Sequence, residues 1–401
     1  MNVSGPLREA QDVGTDVVCL GESMVTFRPT RPGRLADVPS FERGIGGAES
    51  NVACALALAG HRAKWVSRVG SDGFGDHLVS AIAACGVDTS GVGRDSSRPT
   101  GIYFRTAGER ATGLRPGGAS LEERGPNSAS PAFEERGPGR SPVASAGSTV
   151  PDEPGSEHEA NAGQAEVAYY RAGSAASAMS SRNMDLSALA GARVLHLSGI
   201  TAALSADCLA LMRDLTEHRA GRPLVSFDVN YRVHLWAEPA QAGPVLLDLA
   251  RRSDLVFVGE DEAEAAWGIT GGPVAIRAAL PEPATLVVKQ GARGATAFGS
   301  GTEATYEPAP KVDVVAAVGA GDAFAAGFLS ATLRALPVAA RLRHGHLMAA
   351  AALTVPGDLG TPPARADADR LAALPAEAWG TLRLGPGSPT AGAATGEVVT
   401  T

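Results

Sequence analysis

Residues 319–324 read Gly-Ala-Gly-Asp-Ala-Phe, and residues 325–329 continue as Ala-Ala-Gly-Phe-Leu. Phe324, Phe328 and Leu329 recur at helical spacing after the small residues, which predicts a glycine turn that opens a helix. The first N–H groups of a helix have no partners within the helix and lie at the positive end of its dipole. Glycines let phosphate oxygens approach those groups, so the stretch predicts an anion-binding turn beside the carboxylate of Asp322.

Asp322 has two interpretations from the sequence alone. A carboxylate next to a phosphate site is repulsive unless it handles a proton or a metal ion, which makes Asp322 a candidate base for an attacking hydroxyl. Alternatively, Asp322 only stabilises the start of the helix, where acidic residues are favourable. The rest of the chain has to decide between the two.

The composition indicates a globular protein with a sizeable core. The chain has 401 residues, of which 44% are apolar and 19% charged, enough for one large α/β domain or two smaller ones. Its 43 acidic and 35 basic residues give a net charge of −8, which offers no basic surface for nucleic acid. The sequence shows no run of 18 apolar residues and no apolar leader, so we expect a soluble, cytoplasmic protein with no membrane partner. The four cysteines are scattered singly, which favours reduced thiols over a disulfide frame or a metal site.

Short apolar runs alternate with segments of helical length along much of the chain. They lie at residues 16–20, 194–197, 224–228, 255–258 and 286–289. Such alternation is typical of βαβ units. We therefore predict an α/β fold with a doubly wound, mostly parallel sheet flanked by helices.

Three segments are predicted to lie outside this fold. Residues 1–14 are polar and without pattern, and residues 381–401 are rich in Gly, Ala, Thr and Ser, so we predict a flexible arm and a flexible tail. Residues 107–166 contain almost no aliphatic residues and cannot bury enough surface to offset their ordering entropy. They are predicted to form a disordered insertion at the tip of a hairpin, within one large domain that spans residues 15–380.

A second glycine turn opens a helix near the N-terminus, where residues 44–51 read Gly-Ile-Gly-Gly-Ala-Glu-Ser-Asn. Residues 46–53 and 318–327 together closely resemble the two signatures of the ribokinase-like (PfkB) carbohydrate kinases. Two motifs in the right order are more specific than either alone. The resemblance implies the ribokinase-like fold with a small β-sheet lid, whose strands are expected near residues 23–45, 98–106 and 167–173.

Four further stretches resemble the 2-keto-3-deoxygluconate kinases of this family, at residues 99–105, 169–175, 196–201 and 228–232. The resemblance implies an ATP-dependent kinase that phosphorylates a primary hydroxyl of a keto-deoxy sugar acid. A guanidinium fork matches the carboxylate of such a substrate. The implied substrate-binding residues are Gly46, Gly47, Asn51, Tyr103, Arg105, Tyr169, Arg171 and Arg232.

Several of these residues also have purely structural interpretations. Tyr103 and Tyr169 would then be cross-strand partners that only pack. Arg105 would be a solvated charge at a strand end, and Asn51 would cap its own helix. The sequence leaves these alternatives open.

The resemblance also implies catalytic and nucleotide-binding roles. Asp322 is the expected base, and the N–H groups of Gly319, Ala320 and Gly321 are expected to hold the charge on the transferred phosphoryl group. Mg²⁺ is expected to bridge the phosphates through water near Glu262, which alternatively is a solvated acid at a helix start. The implied nucleotide-binding residues are Asn230, Arg232, Lys289, Gly291, Gly294, Gly319, Gly321 and His346.

Three positions depart from the family pattern. Ala316 stands where many members have an acidic residue that helps to bind a monovalent cation, so potassium activation is doubtful. Gly259 replaces a polar residue of the acidic motif, and His346 replaces a common Asn. A catalytically impaired sugar or nucleotide sensor is therefore one alternative, and a neutral-sugar kinase similar to fructokinases or ribokinases is another. The family also implies a homodimer formed through the lid sheets.

Overall fold

The computed structural model describes residues 14–106 and 166–388, which belong to one compact unit. The predicted arm, except Gly14, and the predicted insertion, except Glu166, lie outside these ranges. The strands are β1 Val17–Leu20, β2 Met24–Pro29, β3 Phe41–Gly46, β4 Ala63–Gly70, β5 Asp88–Asp95, β6 Ile102–Arg105, β7 Val167–Tyr170, β8 Val194–Ser198, β9 Leu224–Asp228, β10 Leu255–Gly259, β11 Thr285–Lys289, β12 Gly294–Phe298, β13 Ala304–Pro308, β14 Lys311–Val312 and β15 Arg383–Leu384. The α-helices are α1 Ala48–Leu58, α2 Gly73–Ala84, α3 Gly199–Ala203, α4 Ala206–Thr216, α5 Pro239–Arg251, α6 Glu260–Trp267, α7 Gly272–Ala279, α8 Ala320–Leu333, α9 Val338–Leu353, α10 Arg365–Ala372 and α11 Ala376–Thr381.

Nine strands form one sheet in the order β13-β12-β11-β10-β9-β8-β1-β4-β5. The strands from β11 to β5 pair in parallel, and β12 and β13 add antiparallel pairs at one edge. The chain winds outward in opposite directions from β1 and β8. The predicted doubly wound, mostly parallel sheet is confirmed, and its switch point lies at the carboxyl ends of β1 and β8, where such sheets bind ligands.

Helices cover both faces of this sheet because side chains alternate along each strand. In β1, Val17 and Cys19 face one core, whereas Val18 and Leu20 face the other. Helices α1, α2, α8 and α9 complete the first core, and α4 to α7 complete the second. Strands buried on both faces read as continuous apolar runs, which is why they could be predicted. Within the described ranges, no helix has the length and apolar character needed to cross a membrane.

A second, four-stranded sheet in the order β3-β2-β6-β7 forms the predicted lid. Its inner face carries Tyr103 and Arg105, which are both buried, and its outer face carries Phe27 and Phe104, whose rings stack with centroids 4.8 Å apart. Strands β6 and β7 pair antiparallel, as expected for the two arms of a hairpin. Gly44 belongs to β3, within the expected lid strands, and the pairing of β3 with β2 continues as far as Gly46, so the glycine turn that opens α1 is shorter than residues 44–47 suggested.

The predicted flexible tail begins too early. Residues 383–384 form β15, which pairs in parallel with β14. Leu384 is 2% exposed and packs with Leu371 and Trp379 in a small third core. Leu382 and Leu384, next to a run of small residues, were too weak a signal to reveal this strand. The described chain continues to residue 388.

Candidate active site

A cavity lies at the carboxyl ends of the central strands, with the inner face of the lid on its other side. Most of the predicted catalytic and substrate-binding residues line it. Asn230, which was predicted to bind the nucleotide, lines it as well. The predicted residues in the lining are Gly46, Gly47, Asn51, Tyr103, Arg105, Tyr169, Arg171, Asn230, Arg232, Gly319 and Asp322. Glu22, His234 and Asp358 also line the cavity, and the sequence analysis missed all three.

The glycine turn before α8 presents N–H groups and a carboxylate side by side. Gly319 has a φ of 76°, in the left-handed region that favours glycine. A Cβ on Gly319 would also lie within 3.0 Å of the backbone of Asp358, so both conformation and space require glycine. Helix α8 starts at Ala320, which leaves its first N–H groups without partners inside the helix, with Asp322 in the first turn.

The two glycine motifs meet at Asp322. The Asn51 side-chain amide, in the first part of α1, donates to Asp322 Oδ2 at 2.9 Å. This contact answers one alternative, because the Asn51 side chain reaches across to α8 and not to the start of its own helix. Asn51 Oδ1 is buried and receives no hydrogen bond from the described part of the chain. A buried acceptor without a donor is costly, so a hydroxyl group of a bound sugar fits this position.

Asp358 lies in the chain segment that follows α9, and its side chain binds two residues of the lid. It accepts from the Tyr103 hydroxyl at 3.0 Å and from Arg105 Nη2 at 2.6 Å. Arg105 is 5% exposed, so its alternative as a solvated strand-end charge is wrong. Burial raises the pKa of Asp358, and the Arg105 guanidinium opposes that rise. A second contact joins the lid to this segment: Arg28, in β2, donates to the carbonyl oxygen of Pro356 at 2.6 Å.

Arg171 directly follows β7, at the other end of the β6–β7 pair from Arg105. Its guanidinium pairs with the carboxylate of Glu22, which also accepts from Ser174 Oγ at 3.1 Å. The Arg171 guanidinium lies 5.8 Å from the centre of the Tyr169 ring, and that ring stacks on His234 at 5.5 Å. The sequence offered one signal for Glu22, its place directly after β1 at the switch point.

Charged residues at or shortly after the carboxyl ends of β9, β10 and β11 form a network. Lys289 Nζ donates to both carboxylate oxygens of Asp228 at 2.9 Å and lies 4.0 Å from Glu262 Oε2. Arg232 Nη1 lies 3.6 Å from Glu262 Oε1. Asn230 has a φ of 42°, a strained conformation of the kind that clusters at functional sites. Lys289 was predicted as a nucleotide contact, and in the structure its charge is engaged by Asp228.

Five predicted nucleotide-binding residues are not part of the cavity lining: Lys289, Gly291, Gly294, Gly321 and His346. Gly291 lies in a 3₁₀ turn with a φ of 59°, and a Cβ on Gly294 would lie within 3.0 Å of the carbonyl oxygen of Glu307, so strand packing explains that glycine. His346 is buried, with Nε2 3.1 Å from the carbonyl oxygen of Glu307 and its ring 5.1 Å from that of Phe324. Burial lowers the pKa of His346 to about 4. The structure gives His346 a packing role, which does not support its predicted contact with adenine.

Glu262 is the predicted residue for a metal ion. It is 7% exposed, so the alternative of a solvated acid is wrong, although its Oε2 does accept the Gly259 N–H at 2.7 Å at the start of α6. The described residues contain no group of three or more His, Cys, Asp or Glu side chains suited to hold a metal. Mg²⁺ in kinases uses one or two carboxylates and completes its shell with water and phosphates. Glu262 and Asp228 both lie near Lys289, and a set of carboxylates this small fits a water-mediated ion, not a cage made of protein ligands.

Comparison with known proteins agrees with the two motifs and the cavity between them. The profile of the pfkB family carbohydrate kinases matches residues 14–126 and 156–365. The 2-dehydro-3-deoxygluconokinase of Bacillus subtilis (strain 168) is 31% identical over 358 residues, covering 87% of this chain and 93% of that protein. Fructokinase-1 of Oryza sativa subsp. japonica is 27% identical over 316 residues, covering 78% of this chain and 81% of that protein.

The structural comparison gives the same assignment. The crystal structure of a PfkB protein from Polaromonas sp. matches with a TM-score of 0.67 and 31% identity, covering 88% of this chain and 99% of that one. The lid, the switch-point cavity and the Gly-Ala-Gly-Asp turn thus occur in a chain that matches the family over most of its length. The chain belongs to the pfkB family of carbohydrate kinases, and it is a phosphotransferase that acts on a sugar hydroxyl.

Proposed function

We propose that the protein transfers the γ-phosphoryl group of ATP to a primary hydroxyl of 2-keto-3-deoxygluconate (2-dehydro-3-deoxygluconate) or a similar keto-deoxy sugar acid. The observation that carries this proposal is the position of Arg171 in the cavity lining, under a lid that also supplies Tyr103 and Tyr169. A guanidinium binds a carboxylate through two parallel hydrogen bonds. The name of the Bacillus subtilis relative supports the same substrate class.

The proposed reaction uses Asp322 as the general base. The carboxylate lies in the first turn of α8 and is oriented by the Asn51 amide at 2.9 Å. It takes the proton of the sugar hydroxyl as that hydroxyl attacks phosphorus, while the N–H groups of Gly319, Ala320 and Gly321 stabilise the charge on the phosphoryl oxygens. The lid closes the sugar side of the cavity and keeps water from competing with the sugar as acceptor.

A bound Mg²⁺ would neutralise charge on the β- and γ-phosphates, and Glu262 would hold it through water. Arg232 and Lys289, which flank Glu262 at 3.6 and 4.0 Å, would contribute positive charge next to those phosphates. Dependence on a monovalent cation stays doubtful, because the Ala316 side chain supplies no oxygen ligand.

A neutral-sugar kinase is the second candidate, and the charge balance of the cavity favours it. Arg171 is paired with Glu22 and Arg105 with Asp358, so a sugar carboxylate has to compete with two protein carboxylates. The fructokinase relative also belongs to this class. Under this alternative, Arg171 would only orient Glu22 toward sugar hydroxyls.

Arg171→Met separates the two candidates. If the guanidinium binds a substrate carboxylate, we expect kcat/KM for 2-keto-3-deoxygluconate to fall about 10- to 100-fold, the size of a lost hydrogen bond to a charged group. Coupled ADP-release assays with Mg-ATP would compare that acid with fructose and ribose. A wild-type enzyme that turns over fructose or ribose better than the acid contradicts the proposal.

Two control variants accompany this test. Arg98→Met removes an exposed arginine whose side chain donates to the carbonyl oxygen of Gly173, and it should change kcat/KM by less than about twofold. Because Arg171→Met alone leaves the buried carboxylate of Glu22 without its cation, the double variant Glu22→Gln/Arg171→Met is also needed. An acid-specific loss in both the single and the double variant supports carboxylate recognition.

We also propose that two copies of the chain pair through the outer faces of their lid sheets. Aromatic rings cover this face: Phe104 lies 5.2 Å from Phe41 and 6.1 Å from Tyr170, which is 64% exposed. Exposed apolar faces of this kind mark interaction surfaces. Light scattering coupled to size exclusion should give the mass of a dimer for the wild type and of a monomer for Tyr170→Glu. Tyr306→Glu, a change at a half-exposed tyrosine in β13, should leave the dimer intact, and a monomeric wild type contradicts the proposal.

A further inference from the structure

Glu49 is a fully buried carboxyl group that the proposed reaction does not use. It lies in the first turn of α1, between Gly47 and Asn51, and its exposed fraction is 0%. Its Oε1 accepts three hydrogen bonds, from Ser198 N at 3.1 Å, Ser198 Oγ at 2.8 Å and Thr201 Oγ1 at 2.9 Å. These donors belong to the end of β8 and the start of α3, so one oxygen atom joins α1 to α3.

The other side of the Glu49 carboxyl packs against the end of β1. A Cβ on Gly21 would lie within 3.0 Å of the Glu49 carboxyl atoms, so a larger residue at position 21 would displace this carboxyl group. Glu49 Oε2 is buried and finds no hydrogen-bond partner in residues 14–106 or 166–388. The carboxyl therefore occupies the switch point between β1 and β8, directly behind the cavity.

We propose that Glu49 is a positioning residue for phosphoryl transfer, which anchors the first turn of α1 to α3 and thereby keeps the Asn51 amide on Asp322. Asn51 lies two residues further along the same helix and donates to Asp322 at 2.9 Å. Removal of the anchor allows this part of α1 to shift. This role rests on the proposed function, in which Asp322 is the general base.

The protonation state of Glu49 gives the anchor a pH dependence. Burial raises the pKa of Glu49 to about 7, and the negative charge of Asp322 in α8 adds to the rise. Cys19 in β1 is a further titratable group that interacts with Glu49, and Ser198 and Thr201 contribute neutral donors. Because the folded-state pKa lies above the ordinary value of 4.5, folding is favoured by the bound proton. That stability is fully present below pH 4.5 and is lost as the pH rises through about 7.

The test compares Glu49→Ala, Glu49→Gln and the exposed control Glu264→Gln in α6. Glu49→Ala should lower kcat by about 100-fold with little change in the KM for ATP, since a small displacement of catalytic groups has that effect. Glu49→Gln keeps an oxygen acceptor for Ser198 and Thr201, so kcat at pH 6 should stay within about threefold of wild type. Glu264→Gln should match wild type in every measurement.

The melting temperature supplies a readout that does not depend on catalysis. Glutamine cannot ionise, so the Tm of Glu49→Gln minus that of wild type should increase between pH 5.5 and pH 8.5, that is, about 1.5 units below and above the pKa of about 7. The kcat of Glu49→Gln divided by that of wild type should rise over the same pH range. Thr201→Val, which removes one of the three donors, should cost about 2- to 10-fold in kcat and serves as the second variant if Glu49→Ala does not fold.

The outcomes distinguish this inference from the proposed function. A Glu49→Ala enzyme with wild-type kcat, or a Tm difference that is the same at both pH values, overturns the role of Glu49. If Asp322→Asn keeps its activity while the Tm difference still changes with pH, the assignment of the base fails and the buried anchor remains. If all acceptor sugars fail to react but the Tm difference changes with pH, the failure belongs to the substrate assignment.

Discussion

Asp322→Asn is expected to lower kcat by about 10²- to 10⁴-fold, the range that a positioned general base contributes. Asn is isosteric and its side-chain oxygen still accepts the Asn51 amide, which lies 2.9 Å from Asp322 Oδ2 in the wild type. The glycine turn and the start of α8 stay unchanged. The variant therefore loses proton acceptance while it keeps the geometry, and its KM for ATP should remain close to that of wild type. Steady-state ADP release with saturating Mg-ATP measures both parameters.

A matched control decides between the two interpretations of Asp322. Asp207 also lies in the first turn of a helix, α4, but is exposed and is not part of the cavity lining. Asp207→Asn removes only a favourable charge at a helix start, so kcat should stay within about twofold of wild type. If Asp322→Asn behaves like Asp207→Asn, its carboxylate is only a helix-start residue and another group has to accept the proton.

The sheet and both glycine motifs could be predicted because each leaves a local pattern. Buried parallel strands appear as apolar runs, and a glycine turn followed by helical spacing marks the start of α1 and of α8. Asp322 could be singled out in the same way, since a carboxylate in an anion-binding turn is locally unusual. The contact between Asn51 and Asp322, 271 residues apart, could be expected only from the resemblance of both motifs to one family.

The residues that the sequence did not reveal act through partners distant in the chain. Asp358 pairs with Arg105 across 253 residues, and Glu22 pairs with Arg171 across 149. Nothing local to Asp358 distinguishes it from a surface acid, because its burial depends on how the lid folds onto the segment after α9. His346 is a different case: it was predicted near adenine, and its ring is buried 5.1 Å from that of Phe324, so its contact with the nucleotide stays a prediction.

Asp358→Ala is expected to destabilise the protein by about 3–5 kcal/mol, because it leaves the buried guanidinium of Arg105 without a counter-charge. Both side chains are nearly inaccessible, at 5% for Asp358 and 6% for Arg105, so water cannot replace the lost partner. The Tyr103 hydroxyl loses its acceptor in the same change. For a domain of this size the Tm should fall by about 5–8 °C, which differential scanning calorimetry would measure.

Two further variants test whether the unpaired buried charge causes the loss of stability in Asp358→Ala. The double change Arg105→Met/Asp358→Leu removes both charges and fills the space, so it should regain most of the lost Tm. Asp367→Ala breaks an exposed pair with Arg370 and should cost less than about 1 kcal/mol. A double variant as unstable as Asp358→Ala would show that the packing of Asp358, and not its charge, holds this region together.

Asp358→Ala should also reduce the activity of the protein that remains folded. The backbone of Asp358 lies against Gly319, at the turn that precedes Asp322, and its side chain holds Tyr103 and Arg105 of the lid. One residue thus joins the lid to the glycine turn before α8. At a temperature well below the new Tm, Asp358→Ala should show a lower kcat/KM for the sugar, with less change in the KM for ATP, because the proposed sugar site lies under the lid. A normal kcat/KM in the folded variant would limit Asp358 to a stabilising role.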